Sequence, residues 1–276
     1  MEIINIKDVI PEKNIIVFSP HYDDFLFFLG GYVFELIANE MLNSKKFVNI
    51  NVYSRSNYQN KDDEGNADTS IDRIKYITGK RIIEDFECLD ELLGEHNYVY
   101  RALGECESQL RGKVFENNDM EFPHGMYEDF NNMDKEIFFR MKNYVREYEQ
   151  LSDTALVFPI GFKEHIDHFI VREAGIVVAR ELSKNKTSKF YFAEDKPYGG
   201  IAEQDELLRI ENFIVENRLE MRIFKHHPQK MIDIAFKHYI SQVEGVYIKG
   251  INNRNEVLKQ QFGLINDCDC LYAYNT

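Results

Sequence analysis

Cysteine is scarce in this chain, with four residues in 276, at positions 88, 106, 268 and 270, and no C-x-x-C pair. That spacing speaks against a thiolate zinc site and against a disulfide framework, so a reducing, cytoplasmic setting is expected. No apolar run approaches the ~18–20 residues that cross a bilayer. The opening segment, MEIINIKDVIPEKN, has no cationic stretch followed by an apolar core. Neither stable membrane insertion nor a signal peptide is therefore expected. Positive charge is also short: 33 Lys+Arg stand against 47 Asp+Glu, a formal net charge of −14. This argues against non-specific attraction to nucleic acid or anionic lipid and leaves small neutral substrates open. G-x-G-x-x-G is absent after the first strand candidate, which disfavours a dinucleotide-dependent dehydrogenase. G-x-S-x-G is absent altogether, so a serine hydrolase has no support. With no internal repeat, low-complexity tract or linker, residues 1–276 read as one domain.

What is present is an alternation of short apolar runs and amphipathic stretches, in a chain that is 44% hydrophobic. Strands are expected at 14–20, 47–54, 97–103, 154–160 and 189–195. Helices are expected at about 27–43, 70–93, 132–150, 169–184, 203–218 and 228–243. This order predicts βαβ units in a doubly wound, Rossmann-like α/β fold, with a mainly parallel sheet flanked by helices. Right-handed crossovers align the strand carboxyl ends along one edge. Two long polar stretches, 56–70 and 103–125, read as loops.

Ligands bind at the carboxyl ends of such sheets, and two clusters of His and Asp fall there. SPHYDD (19–24) follows the first strand candidate, and GFKEHIDHF (161–169) follows the fourth. His21 and Asp24 are three apart, as are His165 and His168, a spacing that lets side chains share a helix face. Asp23 and Asp24 are adjacent and must point differently, which suits one carboxylate to a metal and the other to a proton. Asp167 is placed to hydrogen-bond one imidazole. Neutral histidine plus carboxylate is ordinary zinc chemistry, and carboxylates commonly orient such histidines from behind. Either cluster alone reads equally well as helix capping. Two clusters at two strand ends favour the chemical reading. They offer too few bridging groups for a two-metal phosphoesterase.

SPHYDDFLFFLGG resembles the A/S-P-H-x-D-D-x-x-x-x-x-G-G segment of the LmbE/PIG-L family of zinc-dependent de-N-acetylases, and HIDH (165–168) resembles its later H-x-D-H motif. EDKPY (194–198) and a helix ending AFKHYISQ (235–242) are similar to stretches of one branch, so the likeness runs from about residue 14 to 242. The resemblance implies an LmbE-like fold, a Zn2+ ion held by His21, Asp24 and His168, and Asp23 as general base. His165, supported by Asp167, is implied to stabilise the oxyanion or to pass a proton to the leaving amine. RIIED (81–85) is similar to the family's R-x-x-E helix, making Arg81 the substrate-contact candidate, with Arg73 as a rival on the same stretch. The implied partner is a small-molecule N-acetyl amino sugar or glycoconjugate. Two other readings stay open here: a carbohydrate-binding protein on the same fold without catalysis, and a metal-dependent hydrolase of another bond.

Phe25 stands where many members carry Glu, and a more apolar pocket beside Asp23 is expected from it. His226 and His227 precede a proline and read as a surface turn. His96 follows a helix end, where the helix dipole explains it. His124 lies in the second long loop and Gln242 in the branch motif, neither with an assigned role, and Tyr239 reads as core packing.

Overall fold

A computed structural model describes residues 3–60, 63–113, 126–181 and 187–275. After a short helix α1 (Ile6–Val9), the chain alternates β1 (Asn14–Ser19), α2 (Asp24–Ala38), β2 (Lys46–Asn51), α3 (Asp63–Asn66), α4 (Ile71–Leu93) and β3 (Tyr98–Ala102). It continues through α5 (Asn132–Tyr148), β4 (Thr154–Pro159), α6 (Ile166–Arg180), β5 (Lys189–Ala193), α7 (Gln204–Glu216), β6 (Leu219–Lys225), α8 (Pro228–His238), α9 (Gly245–Phe262) and β7 (Cys268–Tyr274).

The seven strands lie in the order β3-β2-β1-β4-β5-β7-β6. β3 through β5 are mutually parallel, with Ile16 aligned to Val48 on one side and Leu156 on the other. β7 runs antiparallel to both β5 and β6. The chain leaves β1 toward β2 and β3, then returns to build β4 and β5 on the other side of β1. That reversal opens a crevice between the carboxyl ends of β1 and β4, the place where such sheets bind ligands.

Helices cover both faces, which is why β1 and β4 are apolar at nearly every position. Ile15, Val17, Ala155 and Val157 face one core with α2, α4 and α8, whereas Ile16, Phe18, Leu156 and Phe158 face the other with α5 and α6. Phe158 stacks on Phe18 at 4.9 Å between ring centroids. Gly175 lets α6 settle on that layer, because a Cβ there would lie 2.7 Å from the Phe158 ring.

The five strands and six helices expected from sequence are all present, with ends shifted by a few residues. β6, β7 and α9 were not expected. β6 carries Glu220 and Arg222 between its apolar residues, and β7 carries a buried Asp269. The 56–70 stretch contains the single helical turn α3, and part of the 103–125 stretch, His124 included, lies outside the described residues. No helix among the described residues is long and apolar enough to cross a membrane.

Candidate metal centre

β1 delivers Pro20 to Asp23 into the crevice, and α2 begins at Asp24. Asp24 turns back so that its Oδ2 accepts the His21 backbone N–H at 2.6 Å. Asp23, at the helix N-cap position, makes no capping hydrogen bond. Capping therefore does not explain this carboxylate. In the second cluster capping is real: the Nδ1 of His165 accepts the Asp167 backbone N–H at 3.1 Å and starts α6.

Three donor atoms converge. His21 Nδ1 lies 3.2 Å from His168 Nε2 and 3.5 Å from Asp24 Oδ2, and His168 Nε2 lies 3.4 Å from Asp24 Oδ2. Donors ~2.0–2.1 Å from a tetrahedral zinc ion stand ~3.3 Å apart, so the triangle has the edge length that such an ion requires. It offers one face of a tetrahedron and leaves a fourth position. His168 is fully buried, whereas Asp23 and His21 keep 7% and 9% exposure, so access is from their side.

Each imidazole is fixed from behind by a carboxylate. His21 Nε2 is 3.0 Å from Asp167 Oδ2, which also accepts the Ser108 N–H, and Arg111 Nη2 donates to Asp167 Oδ1 at 2.6 Å. Asp195 hydrogen-bonds the Nδ1 of His168, and its other oxygen accepts the N–H groups of Gly161 and Phe162 at 2.5 and 3.0 Å. Both histidines thus donate outward and point a lone pair inward, the arrangement of metal-ligating histidines.

The electrostatics agree. Burial pushes the Asp24 carboxyl up, opposed by His168 and His21, to about 6. Burial lowers His168, but Asp24 and Asp195 outweigh it and carry the imidazole to about 9. A cation bound here would displace that proton, because imidazole ligates a metal in its neutral form. Asp167 would rise by burial, yet Arg111 and His21 hold it far below the usual carboxylate range. His165 falls well below the ordinary imidazole value through burial, reinforced by His21 and His168, and is neutral.

Expectation and structure part at three places. Asp167 was paired with His165, but its carboxylate hydrogen-bonds His21, and it is the Asp167 backbone N–H that donates to His165. Phe25 does not line the pocket; its ring packs edge-on to Phe47 at 6.0 Å in the core. His226 is not on a surface turn but 3% exposed, with Nδ1 3.8 Å from Asp269. His227 is the half-exposed member of that pair and bonds Glu35 at 2.5 Å. Tyr239 is buried, as expected, and donates to Asp85 at 2.8 Å, while the Gln242 amide donates to Tyr58 O.

Arg81 reaches the site. Its Nη2 is 3.8 Å from Asp23 Oδ1, and Nη1 is tied to Glu107 at 2.5 Å and Ser56 at 2.9 Å. Arg73 instead bonds Asn57 O and the side chain of Asn66 at the end of α3. Sequence reasoning missed Asp195, Arg111 and Glu107. Asp195 stands at the carboxyl end of the fifth strand, the position that singled out the other clusters. Arg111 and Glu107 sit in the long stretch after β3, whose length was their only signal.

No protein-family model matches the sequence, and no curated protein does. Solved structures do match. A zinc-inhibited form of teicoplanin deacetylase aligns over 94% of this chain and 97% of its own, with TM-score 0.58 and 15% identity. A deacetylase–teicoplanin complex gives 0.57 at 15% over the same shares. N,N'-diacetylchitobiose deacetylase from Pyrococcus horikoshii aligns over 98% of this chain and 86% of its own, at 0.57 and 12%. The fold is LmbE-like. Within the LmbE-like fold, β1 and β4 place the two His/Asp clusters of this chain on opposite banks of the switch-point crevice.

Proposed function

We propose that this protein is a zinc-dependent hydrolase that removes an acetyl group from an N-acetylated amino sugar or glycoconjugate, working in the cytoplasm. The observation that carries the reading is the donor triangle of His21, Asp24 and His168, each imidazole braced by a buried carboxylate, with Asp23 beside it. Two histidines and a carboxylate are the protein ligands of one class of catalytic zinc site. The printed names of the matching structures, deacetylases of teicoplanin and diacetylchitobiose, support the substrate class. Four free thiols support a reducing compartment.

His21, Asp24 and His168 would hold the ion. Zinc so bound lowers the pKa of a bound water to about 7 and polarises a carbonyl. The chain's own residues do the rest. Asp23 is aimed by Arg81 and accepts the proton of the attacking water. His165 is neutral, and its Nδ1 accepts from the Asp167 backbone, so its proton is on Nε2. That N–H donates to the oxygen of the acetyl group as negative charge develops there. Asp23 then returns its proton to the nitrogen, the C–N bond breaks, and acetate and a free amine result.

The test is acetate release from a panel of N-acetylglucosamine conjugates, before and after complete chelation and after zinc is restored. The reading expects release that chelation abolishes and zinc restores. Release of phosphate but not acetate from a parallel phosphoester panel would overturn it.

A further inference from the structure

The backbone just before His165 runs through conformations that L residues avoid. Lys163 has φ 61° and ψ 4°, Glu164 has φ 51°, and Gly161 has φ 83°. Glycine takes the left-handed region freely, but a residue with a Cβ does so at a cost. Two such residues in a row relax unless surrounding contacts hold them.

The contacts come from α7. Lys163 Nζ is 3.2 Å from Glu206 Oε1, and Arg209 Nε donates to Glu164 Oε1 at 2.5 Å. Both holders are themselves fixed. The other oxygen of Glu206 accepts the Glu203 N–H at 2.6 Å in the capping box that opens α7. Arg209 Nη2 is 3.1 Å from Asp205 one turn earlier. From the other side Asp195 takes the N–H groups of Gly161 and Phe162, so the turn is gripped at both ends. Its next residue is His165, with its ring 4.9 Å from that of His21.

We infer that the ion pairs Lys163–Glu206 and Glu164–Arg209 form a clamp through which α7 positions His165. Glu206 and Arg209 are positioning residues, acting through the turn. The metal donors have anchors that do not pass through α7: the backbone of His21 for Asp24, Asp167 for His21, and Asp195 for His168, the last also holding the Gly161–Phe162 end of the turn, away from Lys163 and Glu164. Loosening the clamp therefore moves His165 and leaves the donor triangle in place.

The inference rests on the deacetylase reading in its kinetic arm only. The double variant Glu206→Gln with Arg209→Ala keeps a capping-box side chain at 206 and changes a half-exposed residue at 209, so the fold is retained. It is expected to lower kcat about tenfold, as for a displacement smaller than the misplacement of about 1 Å that can cost ~100-fold, with KM within about twofold and zinc affinity unchanged. Adding Lys163→Gly and Glu164→Gly to that background is expected to restore kcat to within about threefold, because glycine holds the turn without the clamp. Long-range 1H–15N spectra of the imidazoles give a readout independent of turnover. The His165 signal, assigned by its loss in His165→Gln, should shift in the double variant and return with the glycines. An unmoved signal, or a shift and rate loss that glycine fails to reverse, overturns the clamp. A wild-type protein that releases no acetate overturns the deacetylase reading instead, and the imidazole spectra still decide the clamp.

Discussion

Asp167 Oδ2 lies 3.0 Å from His21 Nε2, while Arg111 donates to the opposite oxygen of the same carboxylate at 2.6 Å. The relation sets the tautomer of His21. An ionised carboxylate behind Nε2 requires the proton there and frees the Nδ1 lone pair to face Asp24 and His168. Arg111 also donates to Asp134 and to the Cys106 carbonyl and lies over the Tyr53 ring. The guanidinium keeps the carboxylate charged in a fully buried place.

Asp167→Asn removes that charge and can present an N–H to the ring. Loss of such an outer partner typically lowers metal affinity ~10–100-fold. We expect a loss of that size for zinc, measured by competition with a chromophoric chelator, with the fold retained. Unchanged affinity would show that the Asp167 contact does not serve a metal ligand.

Glu194 makes a prediction about stability and pH. Burial raises its carboxyl, but Arg254 outweighs burial and holds it down to about 2, against an ordinary 4.5. A carboxyl depressed in the folded state stabilises fully above its unfolded value and loses that stabilisation as pH falls through the folded one. The pair should contribute about 3 kcal/mol at neutral pH. Urea unfolding of wild type and Glu194→Gln should differ by roughly this amount at about pH 7, with the gap closing from about pH 4.5 toward about pH 2. A gap that does not change with pH would contradict the assignment.

Gly175 tests the seat of α6 on the sheet. A methyl group there would meet the Phe158 ring at 2.7 Å, inside a layer where Phe158 also stacks on Phe18. Overpacking of this kind costs about 1–3 kcal/mol, so Gly175→Ala should lower the midpoint of thermal unfolding. An unchanged midpoint would mean that the layer has slack.

The parts legible in the sequence are those where local pattern and tertiary role coincide. IIVF and ALVF are apolar throughout because β1 and β4 are covered on both faces, and the His/Asp clusters stand out because they interrupt those runs. β7 was illegible because Asp269 is offset by Lys196, a partner far away in the chain. α9 was illegible because its buried face includes Arg254, Asn255 and Gly250, residues that read as surface. The role of Asp167 was half legible. Spacing showed a carboxylate near an imidazole, but proximity in sequence suggested His165, and only the pairing of β1 with β4 brings His21 across. Asp195 was hidden for the same reason, since its partner lies on another element.

The central claim is that Asp23 handles the proton while its neighbour Asp24 holds the metal. The most direct measurement is acetate release by Asp23→Asn, with bound zinc quantified in the same samples. The account predicts about one zinc per chain, as in wild type, and a rate lowered by ~10²–10⁴. Wild-type acetate release by Asp23→Asn, or loss of its zinc, would contradict the account.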